Sequence, residues 1–234
     1  MKILTIILLT SVALFGCNGQ TKTDKPITSV TEISGKKSSL TQDEIKGLDS
    51  VNIDFQFRGD CYAFSSDKNA EPSNGEAHSD NLPKKVDQSF PKNGLYLTIN
   101  QNDFSRIDSS YLGCKLYLVN TTDALVTLDA SDSRLDIVAE ALNDKNEWTP
   151  ISYLPSSWCG NSYHTVKLDK DEYWSFDIPV FKGKIKTKLR YVLLLDKDNK
   201  IISNEIIAHV NSGQFDKEKK QGHQGYNIMD PYND

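Results

Sequence analysis

The chain has 234 residues, with 27 Lys and Arg against 32 Asp and Glu and a formal net charge of −5. Its cations are mostly lysine, with arginine only at 58, 106, 134 and 190, so there is no basic excess to neutralise a phosphate backbone and nucleic acid is excluded as a partner class. The length suits one sizeable domain with tails.

At the N-terminus Lys2 precedes a largely apolar run over residues 3–15 that ends at Gly16-Cys17. The run falls short of the ~20 residues a transmembrane helix needs. A basic start, a short apolar region and a small residue before the cleavage point make an export signal. The stretch Leu14-Phe15-Gly16-Cys17 resembles the lipobox of a bacterial lipoprotein signal peptide, with Phe15 in place of the small residue usual there. The resemblance implies a signal peptide over residues 1–16 and a diacylglyceride thioether on Cys17. Stable anchoring takes two acyl chains, each contributing ~0.8 kcal/mol per buried CH₂, and a diacylated Cys17 supplies both. It further implies a bacterial cell-envelope location with a membrane as partner through that lipid. Asn18 stands where an Asp would retain the protein at the inner membrane of enteric bacteria, which favours the outer membrane. The domain is then expected to face the periplasm or the exterior.

Residues 17–49 are rich in Thr, Ser, Lys, Asp and Gly with scattered apolar positions, the composition of a flexible tether. Some thirty such residues span an r.m.s. distance of ~30 Å. Within it, Thr41-Gln42-Asp43-Glu44-Ile45 has the spacing of a capped helical turn. The domain is expected over residues 50–213. Residues 51–57 alternate Ile53, Phe55 and Phe57 with Asn52, Asp54 and Gln56, the pattern of a half-buried strand. A long polar loop, residues 65–92, follows with three prolines. Such length is unusual in a compact domain, so it is either a functional excursion or the sign of a peripheral first strand.

From residue 95 strand signals are dense: 95–99, 114–118, 124–128, 135–142, 148–153, 164–168, 172–178, 189–195 and 200–208. The sequences Asn143-Asp144-Lys145-Asn146 and Asp196-Lys197-Asp198-Asn199 are hairpin turns by composition. Short strands at this spacing, without a long amphipathic helix, indicate an all-β fold, an antiparallel β-sandwich, with a small barrel as the alternative. In strand count and spacing alone it resembles immunoglobulin-like domains; the Cys…Trp…Cys fingerprint of antibody domains is missing. Residues 214–234 read as a disordered tail.

If Cys17 carries lipid, three cysteines remain, allowing one internal disulfide at most. Cys114 shares strand parity with Leu116 and Leu118 and is expected in the core. Cys61 and Cys159 lie in loop-like contexts and are the expected disulfide pair. A bridge between them would close a loop of nearly a hundred residues, worth up to ~4–5 kcal/mol.

The segment Pro155-Ser156-Ser157-Trp158-Cys159-Gly160-Asn161-Ser162-Tyr163-His164 carries the most chemistry. Two readings compete with a plain structural loop. One is a ligand-contact loop through Trp158, Asn161, Tyr163 and His164. The other is a thiol nucleophile, with Cys159 attacking, His164 as base and Asn161 orienting it. Papain-type signatures place Cys before Trp, whereas Trp158 precedes Cys159 here. No histidine sits at metal-ligand spacing, and neither a Gly-x-Ser-x-Gly elbow nor a glycine-rich phosphate loop occurs. The expectation is a non-enzymatic envelope lipoprotein without cofactor or metal that binds or scaffolds a protein. An inhibitor or immunity-type lipoprotein and a thiol enzyme are the alternatives.

Overall fold

The computed structural model describes residue 33, residues 36–65, 80–156 and 162–221, and residue 228. The expected signal peptide, Cys17 and the start of the tether lie outside them. Among the described residues no helix is long and apolar enough to cross a membrane.

One short helix, α1 (Gln42–Lys46), opens the described chain. Strands follow as β1 (Phe57–Arg58), β2 (Lys84–Lys85), β3 (Leu95–Ile107), β4 (Tyr111–Asn120), β5 (Val126–Ser131), β6 (Arg134–Leu135) and β7 (Ile137–Leu142). The second half contains β8 (Trp148–Pro150), β9 (Ser152–Tyr153), β10 (Tyr163–Leu168), β11 (Glu172–Pro179), β12 (Ile185–Leu194), β13 (Lys200–Ile202) and β14 (Ile206–Val210). They form antiparallel sheets ordered β2-β11-β4-β3, β10-β5-β6 and β13-β12-β7-β8, with β14 also on β12; among the described strands only β1 and β9 pair in parallel. The fold is all-β, with the antiparallel sheets packed as a sandwich.

Alternation decides which face each strand buries. Cys114, Leu116 and Leu118 of β4 and Trp174, Phe176 and Ile178 of β11 point into the main core, as the parity of Cys114 predicts. Trp174 is fully buried and donates its indole N–H to Phe64 O at 3.0 Å. The opposite faces of the same strands, with Tyr117, Val119 and Tyr173, build a second, smaller core with Ile33, Phe90 and Tyr96. Both hairpin turns form as expected: Asn143 Oδ1 accepts from Lys145 N and Glu147 N, and Asp196 Oδ1 from Asp198 N and Asn199 N.

Three expected strands are each divided in two. Residues 135–142 change sheet at Asp136, whose carbonyl accepts from Leu194 N, so that β6 and β7 lie in different layers. Residues 148–153 break at Ile151, which pairs with Ala139 while Ser152 Oγ takes the Ala139 N–H at 2.8 Å. Residues 200–208 break at Ser203-Asn204-Glu205, and here Asn204 leaves its own sheet. Its Oδ1 accepts from Ile99 N at 2.6 Å and its Nδ2 donates to Ile99 O at 3.1 Å. One amide side chain thus acts as a peptide partner for the edge strand β3.

The first expected strand, residues 51–57, is corrected more deeply. Only Phe57–Arg58 is regular strand; the rest runs between sheets through isolated bridges, Asp49 with Tyr111 and Val51 with Phe181. Gln56, expected on the solvent face, is 3 % exposed. Its Nε2 donates to Pro150 O at 3.0 Å, and its backbone bonds to Lys219 and Gln221.

That last contact moves the C-terminal boundary. The tail expected from Gln214 is packed onto the domain as far as Gln221, with a 3₁₀ turn over Ser212–Phe215 and Gln214 1 % exposed. The tether boundary moves too. Thr41 and Glu44 form the expected capping box on α1, and Arg106 holds Glu44 at 2.8 Å. Upstream, Lys36 Nζ lies 4.2 Å from the Tyr173 ring centre and 4.4 Å from that of Phe90, and donates to Tyr173 Oη at 2.7 Å. A cation held over aromatic faces is worth about 0.5–2 kcal/mol. The polar loop 65–92 is docked in its described second half: Phe90 enters the smaller core and Asn81 Nδ2 bonds Tyr62 O at 2.9 Å.

Asn204→Ala removes both halves of the β3 clip and strands two buried peptide groups, an expected loss of about 1–3 kcal/mol. Asn204→Asp keeps the acceptor for Ile99 N but sets a carboxylate against Ile99 O, so it should be no more stable than the alanine variant. Urea unfolding midpoints of the three chains check this; an unchanged midpoint in Asn204→Ala would contradict the clip.

Candidate functional site

The segment singled out by its chemistry borders the three-stranded sheet β10-β5-β6. Strand β5 turns into β6 through Asp132 and Ser133, both left-handed at φ 50° and 63°, as a two-residue hairpin requires. The register sets Tyr163 opposite Ser131, Ser131 opposite Arg134, and Arg134 opposite Tyr62. Residues directly opposite share a face, so these four form one row across the sheet. Tyr163 is 62 % exposed, whereas Arg134 is 4 % exposed and donates from Nη2 to Pro155 O at 2.8 Å. Arg58 Nη2 donates to Tyr62 Oη at 3.0 Å.

His164 belongs to the opposite face, with Ala130, and is half-buried. Its Nδ1 lies 3.1 Å from Ser162 O and its Nε2 3.4 Å from Ser133 Oγ. A proton on Nδ1 donated to the carbonyl would leave Nε2 to accept from the serine. Adjacent in sequence, Tyr163 and His164 therefore face apart, as strand neighbours must. Trp158, Cys159 and Asn161 lie outside the described residues, and with them the nucleophile arrangement.

Cys61 and Cys114 are free, buried thiols, 4 % and 2 % exposed. Cys159 lies outside the described residues, and with it the expected Cys61–Cys159 bridge; the Cys61 side chain belongs to the main core rather than to a surface loop. Burial, with the negative charges of Asp60 and Asp177, pushes the Cys61 thiol well above its usual range. Burial, Asp103 and Asp177 push Cys114 up to about 12. Both thiols stay protonated near neutrality, and a thiol is a poor nucleophile in that form.

Beside this sheet lies a polar cleft of about 410 Å³ lined by Asp60, Tyr62, Asp80, Asn81, Lys84, Lys115, Ser175, Phe176 and Asp177. Lys115 pairs with Asp177 at its wall. Desolvation by the surrounding protein, reinforced by Asp108, opposed by Arg58 and reinforced by Asp177, pushes the Asp60 carboxyl up to about 6, although the residue itself is exposed. Sequence reasoning misses this cleft. Its residues come from four separated segments, and no local spacing marks them. Among the described residues no group of three or more His, Cys, Asp or Glu side chains could hold a metal ion.

The raised Asp60 value fixes the sign of a pH effect. Between 3.8 and about 6 the folded chain holds a proton that the unfolded chain has released, so Asp60 makes stability fall as pH rises through that window. Asp60→Asn should remove the fall, gaining on the parent as pH rises from 4 to 7 in urea titrations. Parallel stability profiles would exclude the shift. The thiols offer a separate check. In a Cys17→Ser, Cys159→Ser chain, Cys61 and Cys114 should not react with a disulfide reagent at pH 8 until denaturant is added, and rapid reaction of the folded chain would contradict their burial.

No protein family, no curated protein and no solved structure matches the chain.

Proposed function

We propose that this chain is a lipid-anchored lipoprotein of the bacterial cell envelope whose β-sandwich binds or scaffolds another envelope component, a protein. The observation that carries the reading is the run from Lys2 through the apolar residues 3–15 to Gly16-Cys17. A thioether lipid on Cys17 would tie the chain to the membrane, and the polar residues after it would let the domain stand off from the headgroups. Asn18 supports an outer-membrane destination.

The choice of a protein partner is supported by the kind of surface offered. Tyr163 is an exposed aromatic at the edge strand β10, next to the exposed Thr165 and Lys167. Exposed tyrosines of this kind are favoured anchors in protein interfaces because they bury much area at little entropic cost. The edge itself is partly guarded, as Ser65 Oγ accepts the Lys167 N–H at 2.9 Å. Side chains rather than strand addition would then make the contact.

Metabolic labelling with a fatty acid, followed by fractionation, tests the anchor. The parent chain should carry label and sediment with membranes, and Cys17→Ala should do neither. Label that persists in Cys17→Ala would overturn the assignment. In-cell crosslinking with mass spectrometry tests the partner: one recurrent envelope protein should be captured, and Tyr163→Ala should weaken its affinity by about tenfold or more. Capture that ignores Tyr163 would move the contact elsewhere on the domain.

A further inference from the structure

The row Tyr163–Ser131–Arg134–Tyr62 contains two buried donors without a partner among the described residues. Arg134 Nε–H is buried and meets no acceptor among the described residues, and the same holds for Ser131 Oγ, whose residue is 7 % exposed. The two are direct cross-strand neighbours. Such pairs hold their β-carbons about 4.5–5.5 Å apart. No described carboxylate lies within ion-pair distance of Arg134; Asp136 interacts with it only through space.

This departs from the way the rest of the fold treats polar groups. Asn120, equally buried, donates to Ala124 O, Leu168 O and Asp169 O while accepting from Thr122. The other buried side-chain atoms without partners, on Ser105, Tyr191 and Gln214, are uncharged and lie on other elements. Arg134 differs in kind. A guanidinium cannot shed its proton to escape burial, and a buried cation without a counter-charge is strongly destabilising.

We infer that Arg134 and Ser131 form a binding site for one carboxylate group, flanked along the row by the exposed Tyr163 on one side and on the other by the half-buried Tyr62, which also lines the polar cleft. A carboxylate is an acceptor-only group with one negative charge and two oxygens in a plane. It answers the Nε–H and the Oγ–H together and cancels the single charge of Arg134. The deep burial of both donors favours this flat acceptor over a tetrahedral phosphate. The inference holds whether or not the chain is lipidated, and whether the carboxylate belongs to a free small molecule or to a protein chain end.

With four arginines in the chain, ¹H–¹⁵N NMR of the arginine side chains tests it on the full-length protein. The Arg134 Nε–H signal is the one lost in Arg134→Lys; should that variant not fold, it is the signal perturbed by Ser131→Ala. Titration with sodium acetate should shift this signal saturably, while sodium chloride at equal ionic strength leaves it in place. Ser131→Ala should weaken the apparent affinity about 5-fold, the size of one neutral hydrogen bond. An acetylated tripeptide with a free C-terminal carboxylate should act like acetate, and its C-terminal amide should not. If the peptide binds about tenfold tighter than acetate, the ligand is a chain terminus; equal affinity assigns it to small carboxylates. A signal indifferent to every carboxylate, one that follows chloride, or one that prefers phosphate to acetate overturns the inference.

Discussion

The sandwich is held together by one stretch that belongs fully to none of its sheets, residues 49–64. Val51 bonds to Val180 and Lys182, Gln56 to Lys219 and Gln221, Gly59 to Tyr153, Ala63 to Ser133 and Phe64 to Asn81. Its apolar side chains, Val51, Ile53 and Phe57, lie in the main core. A chain passing between layers must satisfy its peptide groups with whatever lies on each side, because an unpaired buried group is costly. Here that demand is met by single bridges to successive partners rather than by one ladder. The layers are consequently fixed relative to one another by backbone bonds as well as by side-chain packing.

The same economy governs the buried and half-buried polar side chains. Asn204 completes the edge of β3, Ser203 Oγ accepts from Tyr191 N at 2.9 Å, and Ser152 Oγ accepts from Ala139 N. Each replaces a peptide partner at a point where a strand stops. Buried polar groups satisfied in this way specify one arrangement of the layers, since any shift in register would leave them unpaired. Against this background the unfilled Arg134 and Ser131 stand out as a pair.

Much of the fold was legible in the order of residues. Period-two alternation located the two faces of β4 and β11, including Cys114, because each face packs against a different apolar cluster. Turn chemistry located the Asn143 and Asp196 hairpins, because asparagine and aspartate side chains bond their own backbone there. What stayed hidden depends on where layers meet. Nothing in the apolar alternation of residues 135–142 or 200–208 says that the strand changes sheet or pauses in mid-course. Lys36, one of two adjacent lysines in a polar stretch, gives no hint of the aromatic faces that receive it, which come from residues far downstream. The stretch from Asp129 to Arg134 reads as an ion pair or a turn, with a polar ligand contact as the alternative, and nothing in it shows that Arg134 is buried and bonded to Pro155 O. The site was legible in part, with Tyr163 and His164 near the sheet end, but strand geometry sends them to opposite faces.

The seam between Gln56 and the stretch from Lys219 to Gln221 bears on how the molecule comes into being. The inner segment is made well before its partners, so a nascent chain cannot close the seam until residues 219–221 have been added. Contacts of such long separation carry a large loop-closure entropy and are reached late in folding. Until then the apolar side chains of residues 51–57 lack part of their final packing. Folding of this domain is thus tied together by a contact between distant stretches of the described chain.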